Sequence, residues 1–214
     1  MPAAVAVQKR TARDALLRAG RDIVLRAGFA DLTVREVAIA ASANLGSFVY
    51  HFGTRDAFLR TLIEDWYGPV FSRVQLVAES GGSAIDRLRR AILQLLEPGV
   101  DDTGFLGRLL MGAAAGETAA REFLNTIAGR HPRVLIELVR DAQAAGALVD
   151  EEPMQVMLFI MGSVALPRLI ATAWEGPPLF GKNLSSALGR IARDRDLIVQ
   201  RLDWAIRGLT PEGR

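Results

Sequence analysis

Between Thr33 and Arg55 the chain gathers side chains suited to gripping a polyanion and reading flat polar edges: Thr33, Arg35, Asn44, Leu45, Gly46, Ser47, Tyr50, His51 and Arg55. Guanidinium forks, hydroxyls and an amide donate to phosphate oxygens and to the edges of bases, which is recognition rather than bond making. Catalysis has little to work with. The chain holds two histidines and no cysteine, and no serine nucleophile elbow or paired metal-ligand spacing is present. No catalytic residue, metal site or cofactor is therefore expected.

Short helices must position this set. Thr33 with Glu36 three places on reads as a capping box, in which the hydroxyl takes an amide at the helix start and the carboxylate reaches back to the Thr33 amide. A helix then begins at Val34, with Val37, Ala38 and Ala41 on one apolar face and Leu32 as its staple. Ser42 and Ala43 make a tight connection. Asn44 caps a second helix, Leu45 to Phe52, with Phe48 and Phe52 on one side, and Thr54 caps a third. Two short helices joined by about three residues form the geometry that offers the second helix to a DNA major groove.

Residues 10 to 60 resemble the DNA-binding domain of the TetR/AcrR family of transcriptional regulators. The resemblance rests on Gly28-Phe29, on Leu32-Thr33-Val34 with Ile39-Ala40-Ala41, and on Asn44-Leu45-Gly46-Ser47-Phe48 running into Tyr50-His51-Phe52-Gly53 and Arg55. Two positions depart from the family pattern. Ser42 stands where a turn glycine is usual, and the aromatic usual at Val49 comes one place later, at Tyr50. The resemblance implies an all-α chain, with an N-terminal three-helix helix-turn-helix (homeodomain-like) DNA-binding domain over residues 1–55. Residues 56–214 would form a helical bundle for ligand sensing and dimerisation.

Roles follow residue by residue. Arg35, in the first turn of its helix, can bridge guanine O6 and N7; the alternative is an exposed surface arginine. Asn44, Leu45 and Ser47 open the recognition helix, where side chains reach base edges or a thymine methyl, and Gly46 allows close approach. Thr33, Tyr50, His51 and Arg55 would hold phosphates and set register, although His51 could instead close the helix end.

Charge supports this end of the chain. Residues 1–60 carry nine Lys and Arg against five Asp and Glu, an excess of +4, while the whole chain is at +2. Two copies would reinforce the attraction to phosphate. The first dozen residues lack a signal-peptide pattern, so a cytoplasmic location is expected, and they read as a flexible arm before a helix opened by Thr11 and ended at Gly28.

The remainder reads as helix throughout. A fourth helix from Thr54 runs to about Val77 across a disturbance at Gly68-Pro69. Ser80-Gly81-Gly82-Ser83 is a linker, and an amphipathic helix containing Leu88 and Ile92 ends at Pro98-Gly99. Phe105 to Ala115 forms another, with a Gly112 to Gly116 run that marks a close helix approach or a helix end. A long helix from Thr118 reaches toward Gly146, interrupted by Pro132, which could split it. Met154 to Trp174 is apolar on nearly every side, but its uncharged run falls short of the roughly 20 residues a membrane span needs. Leu184, Leu188, Ile191, Ile198, Leu202 and Ala205 fall on heptad-like steps that read as a seam for a partner helix. Pattern and resemblance together imply a homodimer through four helices, two from each chain, on a palindromic double-stranded operator.

In the family a second domain encloses a small-molecule pocket. Here Phe105, Met111, Phe123, His131, Met157, Met161 and Trp174 could wall one suited to an apolar or aromatic effector, although each singly also fits an ordinary core. Repression relieved by ligand is the expected function. Activation, or a dimeric helical adaptor that has lost DNA binding, is the alternative.

Overall fold

A computed structural model of the chain describes residues 2–96, 103–173 and 181–211. Among these residues every regular element is a helix, as the resemblance implies. In chain order they are α1 (Pro2–Ala27), α2 (Val34–Ala40), α3 (Leu45–Phe52), α4 (Arg55–Ala78), α5 (Ala84–Leu95), α6 (Thr103–Ala114), α7 (Thr118–Ile127), α8 (His131–Ala144), α9 (Pro153–Ala173), α10 (Lys182–Arg193) and α11 (Arg195–Gly208). They form two compact units. One is Met1–Tyr67 with Gly104–Asn125, the other Gly68–Thr103 with Thr126–Arg214. The unit that carries the helix-turn-helix thus extends past residue 55 to Tyr67 and takes in most of α6 and α7.

The first unit is built on aromatic rings. Phe48 and Phe52, one turn apart on α3, meet Phe58 of α4 at centroid distances of 5.0 and 4.8 Å. Phe48 and Phe58 are wholly buried. Helix α1 comes so close to this cluster that a Cβ on Gly20 would lie 2.4 Å from Phe58 Cζ. The expected flexible arm is helical instead: α1 starts at Pro2, not at Thr11. Proline suits a first helical position, and the run behind it, AAVAVQKR, contains no breaker.

The caps form where the sequence places them. Thr33 Oγ1 accepts from Glu36 N (3.2 Å), Asn44 Oδ1 from Ser47 N (2.7 Å) and Thr54 Oγ1 from Ala57 N (3.1 Å). The other half of the expected capping box is corrected, because the Glu36 carboxylate is taken by Arg26 Nη2 at 2.9 Å.

Ser42 sits at φ 52°, the left-handed region. Ala43 N bonds back to Ala38 O and Ser42 N to Ile39 O, the two bonds of a Schellman helix end. Gly116 and Gly146 close their helices with the same pair of bonds. Ser42 therefore does a glycine's work at a steric cost. Ser42→Gly is expected to raise thermal stability, by about 0.5–1 kcal/mol, in a melting experiment. An unchanged or lower melting point would show that the serine carries no strain.

In the second unit, α5, α8, α9 and α11 share a core through Leu88, Ile92, Leu135, Leu138, Val139, Ile160, Val164 and Leu202. The helix expected from Thr118 is two helices, and Pro132 stands in the first turn of α8, where its missing amide costs nothing. Gly112, in the small-residue run, faces Phe29 so closely that a Cβ would meet Phe29 Cδ2 at 3.1 Å, while Gly116 ends the turn.

The second half of the expected partner seam is corrected. Asp194 breaks it and caps α11, accepting from Asp196 N and Leu197 N at 2.9 and 3.2 Å. Ile198, Leu202 and Ala205 are buried in the unit's own core, so their spacing reports packing within the chain. Pro153–Ala171 of α9 is long and apolar enough to cross a membrane by length and composition, at a mean hydropathy of 1.7. The helix packs against α8, α10 and α11 of its own unit. Arg168 is buried there and donates to the carbonyl of Leu96 at the end of α5.

Candidate nucleic-acid interface

The α2–α3 pair stands on α1, with Val37, Ala38, Phe48 and Phe52 turned inward. What remains outward is the set the sequence singled out. Thr33, Arg35, Asn44, Leu45, Gly46 and Tyr50 are exposed, and Ser47 and His51 are half-buried. Leu45 is 54% exposed and Tyr50 65% exposed, a poor arrangement for free side chains of that kind unless they meet a surface. A Cβ on Gly46 would touch only the capping Asn44 Oδ1, at 3.3 Å, so the backbone there is open from outside. The His51 ring lies beside Tyr50 (5.1 Å) and Phe52 (6.0 Å) in the last turn of α3.

Two apolar side chains on this face were missed. Ile39 is 68% exposed and Val49 54%. Helical period does not mark Val49: it lies one turn from Leu45, at the edge of the side that Phe48 and Phe52 turn inward, and only the packing of α3 leaves both exposed.

Arg55 corrects an expected role. Its guanidinium, expected on a phosphate, is turned into the unit. Nε donates to Leu32 O at 2.9 Å, and Nη2 to Phe29 O at 2.6 Å and to Glu117 Oε2 at 3.0 Å. One fork thus ties the start of α4 to the α1–α2 corner and to the α6–α7 corner. Two further arginines fasten the same helices. Arg108 of α6 donates to the carbonyls of Leu25 and Arg26 that end α1, at 3.2 and 3.3 Å. Arg60 of α4 meets Glu122 of α7 through bonds of 2.6 and 3.1 Å. That hydrogen bond and its attraction hold the Glu122 carboxyl below its ordinary value, although exposed pairs of this kind contribute little to stability.

Solved structures share the architecture. A TetR transcription regulator from Haloarcula marismortui superposes with a TM-score of 0.67 at 14% identity, covering 94% of this chain and 98% of that one. The ketosteroid transcriptional regulator KstR2 of Mycobacterium tuberculosis gives 0.65 at 18% identity, covering 94% and 95%. No family profile matches the chain. Over 178 residues, however, it is 30% identical to the transcriptional regulator AcuR of Cereibacter sphaeroides, covering 80% of this chain and 76% of the relative. The chain belongs to the TetR/AcrR family of transcriptional regulators. As a TetR-family protein it is a DNA-binding regulator.

The residues named for an effector pocket divide between the two units of this TetR regulator. Phe105 and Phe123 are buried in the first: Phe105 stacks against Trp66 at 4.9 Å and Phe123 meets Tyr67 edge-on at 5.1 Å. Met111, of the same unit, is 54% exposed on α6. Met157 and Met161 pack in and against the core of the second unit. Trp174 lies outside the described residues.

His131 opens α8 in the second unit, and burial lowers its pKa from 6.5 to about 4. A histidine that stays neutral in the fold but takes a proton when unfolded opposes folding as the pH drops. Its contribution to stability is complete above pH 6.5 and is lost progressively from there toward pH 4. Melting temperatures across that window should fall more steeply for the wild type than for His131→Gln; parallel curves would show that His131 titrates normally.

Proposed function

We propose that the protein is a dimeric repressor that holds a roughly palindromic operator with the outward face of α2–α3 and lets go when a small apolar or aromatic molecule binds. Residues 1–55 serve as the DNA-reading domain and residues 56–214 as the sensing and dimerisation domain. The observation that carries the reading is the exposed set Arg35, Ile39, Leu45, Val49 and Tyr50 on two capped helices held rigidly from behind. Arg35 supplies base readout, Leu45 and Val49 supply contact with thymine methyls, and Thr33, Tyr50 and His51 hold phosphates.

A second feature supports the dimer. On α9, Met154, Leu158, Leu166 and Ile170 follow at steps of four and are all exposed, at 41%, 59%, 53% and 38%. Gly162 fills the missing step, where a Cβ would meet nothing within 4 Å. With exposed Phe159 of α9 and Leu184 of α10, an apolar face of this kind calls for a partner. Two copies on a palindromic operator would read half-sites about 34–36 Å apart, one turn of duplex.

The test is selection of bound sequences from a random duplex pool, repeated with a panel of hydrophobic compounds. A palindrome that is bound and then released by one compound is the expected result. No enrichment at low salt would turn the reading toward a helical adaptor. On the selected operator, Arg35→Ala is expected to cost roughly 1–3 kcal/mol of affinity and to relax preference at one base pair. If all base pairs keep their preferences, Arg35 does not read the sequence.

A further inference from the structure

The first unit contains an aromatic niche made by α4, α6 and α7. Trp66 of α4 tilts over Phe105 of α6, with 35° between the planes and 4.9 Å between centroids, and Phe105 meets Phe29 edge-on at 5.5 Å. Next along α4, Tyr67 stands edge-on to Phe123 of α7. One atom is out of keeping with this packing. The indole Nε1 of Trp66 is shut off from solvent and has no acceptor among the described residues. A buried N–H without an acceptor keeps the cost of leaving water with nothing in return, and native folds hold few of them. Phenylalanine would serve the packing without that cost.

We propose that Trp66 is the hydrogen-bond donor of the effector site, and that the effector is an aromatic molecule carrying a neutral oxygen acceptor such as a ketone, lodged against Phe105. This rests on the reading that the protein is released from DNA by a ligand. The charge around the niche selects a neutral acceptor. The arginines of these helices within the unit are engaged elsewhere: Arg55 and Arg60 with Glu117 and Glu122, Arg108 with the end of α1, and Arg121 with Ala113 O at 2.8 Å. A carboxylate would enter without a counter-charge, which burial makes costly.

The site also has a route to the DNA face. Because Nε1 is closed, an acceptor reaches it only by displacing packed neighbours, and α6 and α7 are the helices that the Arg55 and Arg60 pairs hold to α4. Trp66 lies eleven residues from Arg55, about 16 Å along the helix. A ligand that parts these helices favours the arrangement in which the clasp behind α2–α3 is loosened.

Acetophenone and 2-acetylnaphthalene, each beside the alkene of the same shape with C=CH₂ in place of C=O, serve as probes on the full-length protein labelled with ¹⁵N at its indoles. The Trp66 signal is identified by its loss in Trp66→Phe. A ketone is expected to move that signal downfield while its alkene does not, and Trp66→Phe should weaken the ketone about tenfold relative to the alkene. Comparison with the alkene cancels the change in ring size. The proposal is overturned if neither ketone moves the Trp66 signal at its solubility limit, if ketone and alkene move it equally, or if the substitution weakens both alike. Operator binding is followed in the same samples. A compound that releases the operator while the Trp66 N–H stays still overturns this proposal and leaves the repressor reading standing. Failure to bind any operator at low salt removes the repressor reading, whereas a ketone-specific Trp66 shift would still establish the ligand site.

Discussion

Phe58→Ala is expected to unfold the helix-turn-helix unit and abolish operator binding, at a cost of about 3–5 kcal/mol. The ring is fully buried, packs on Phe48 and Phe52 from α3, and lies where α1 passes at Gly20. A loss of that size is a large part of the roughly 5–15 kcal/mol that holds a typical domain together. Denaturant unfolding followed by circular dichroism reads the cost directly. Gly20 supplies an internal control. Gly20→Ala alone drives a Cβ into Phe58 and should destabilise by about 1–3 kcal/mol, whereas in a Phe58→Leu background the same change meets less crowding and should cost less. If the two substitutions are simply additive, α1 and Phe58 do not touch and the core is not packed in this way.

Arg55→Ala is expected to cost about 2–3 kcal/mol of stability and to weaken binding to every duplex while leaving the salt dependence of binding unchanged. The substitution strands the Leu32 carbonyl and a Glu117 side chain that is only 12% exposed, and leaves Phe29 O with the Leu32 amide alone. Bonds from a charged donor are worth more than neutral ones, with some discount because the Arg55 side chain is itself 30% exposed. Arg55→Lys should recover little, since an ammonium cannot reach three acceptors in a fork. The salt slope separates the two possible roles. If Arg55 held a phosphate, its removal would reduce the slope by about one unit; removal of a positioning residue would not move it. A reduced slope with unchanged melting would restore the phosphate role.

Sequence is most informative where the physics is local. Caps at Thr33, Asn44 and Thr54 depend on a side chain and an amide three residues away, and all three form. Ser42 in a left-handed turn stands where the family resemblance has a glycine. Val37 and Ala38 on α2, and Phe48 and Phe52 one turn apart on α3, fall inward as their spacing has them. Expectation and structure part where a side chain has several acceptors within reach and only the fold can choose among them. Glu36 turns to Arg26, ten residues back, rather than to the Thr33 amide. Arg55 turns to Phe29 and Glu117, 26 and 62 residues away. The heptad-like spacing in α10 and α11 identifies apolar positions without saying whether they face the chain's own core or another chain.

By itself, then, the sequence determined the all-α class, the caps of α2, α3 and α4, the polar outward positions on α2–α3 and the resemblance that relatives place in the TetR/AcrR family. Each of these depends on residues a few places apart, whose geometry the backbone dictates. Only the tertiary structure decided that most of α6 and α7 packs in the unit of the helix-turn-helix, that Arg55 ties α4 to the α1–α2 corner, that the exposed stripe lies on α9, and that the indole of Trp66 is buried without an acceptor among the described residues. Those outcomes depend on which distant elements come together, and spacing along a chain carries no record of that.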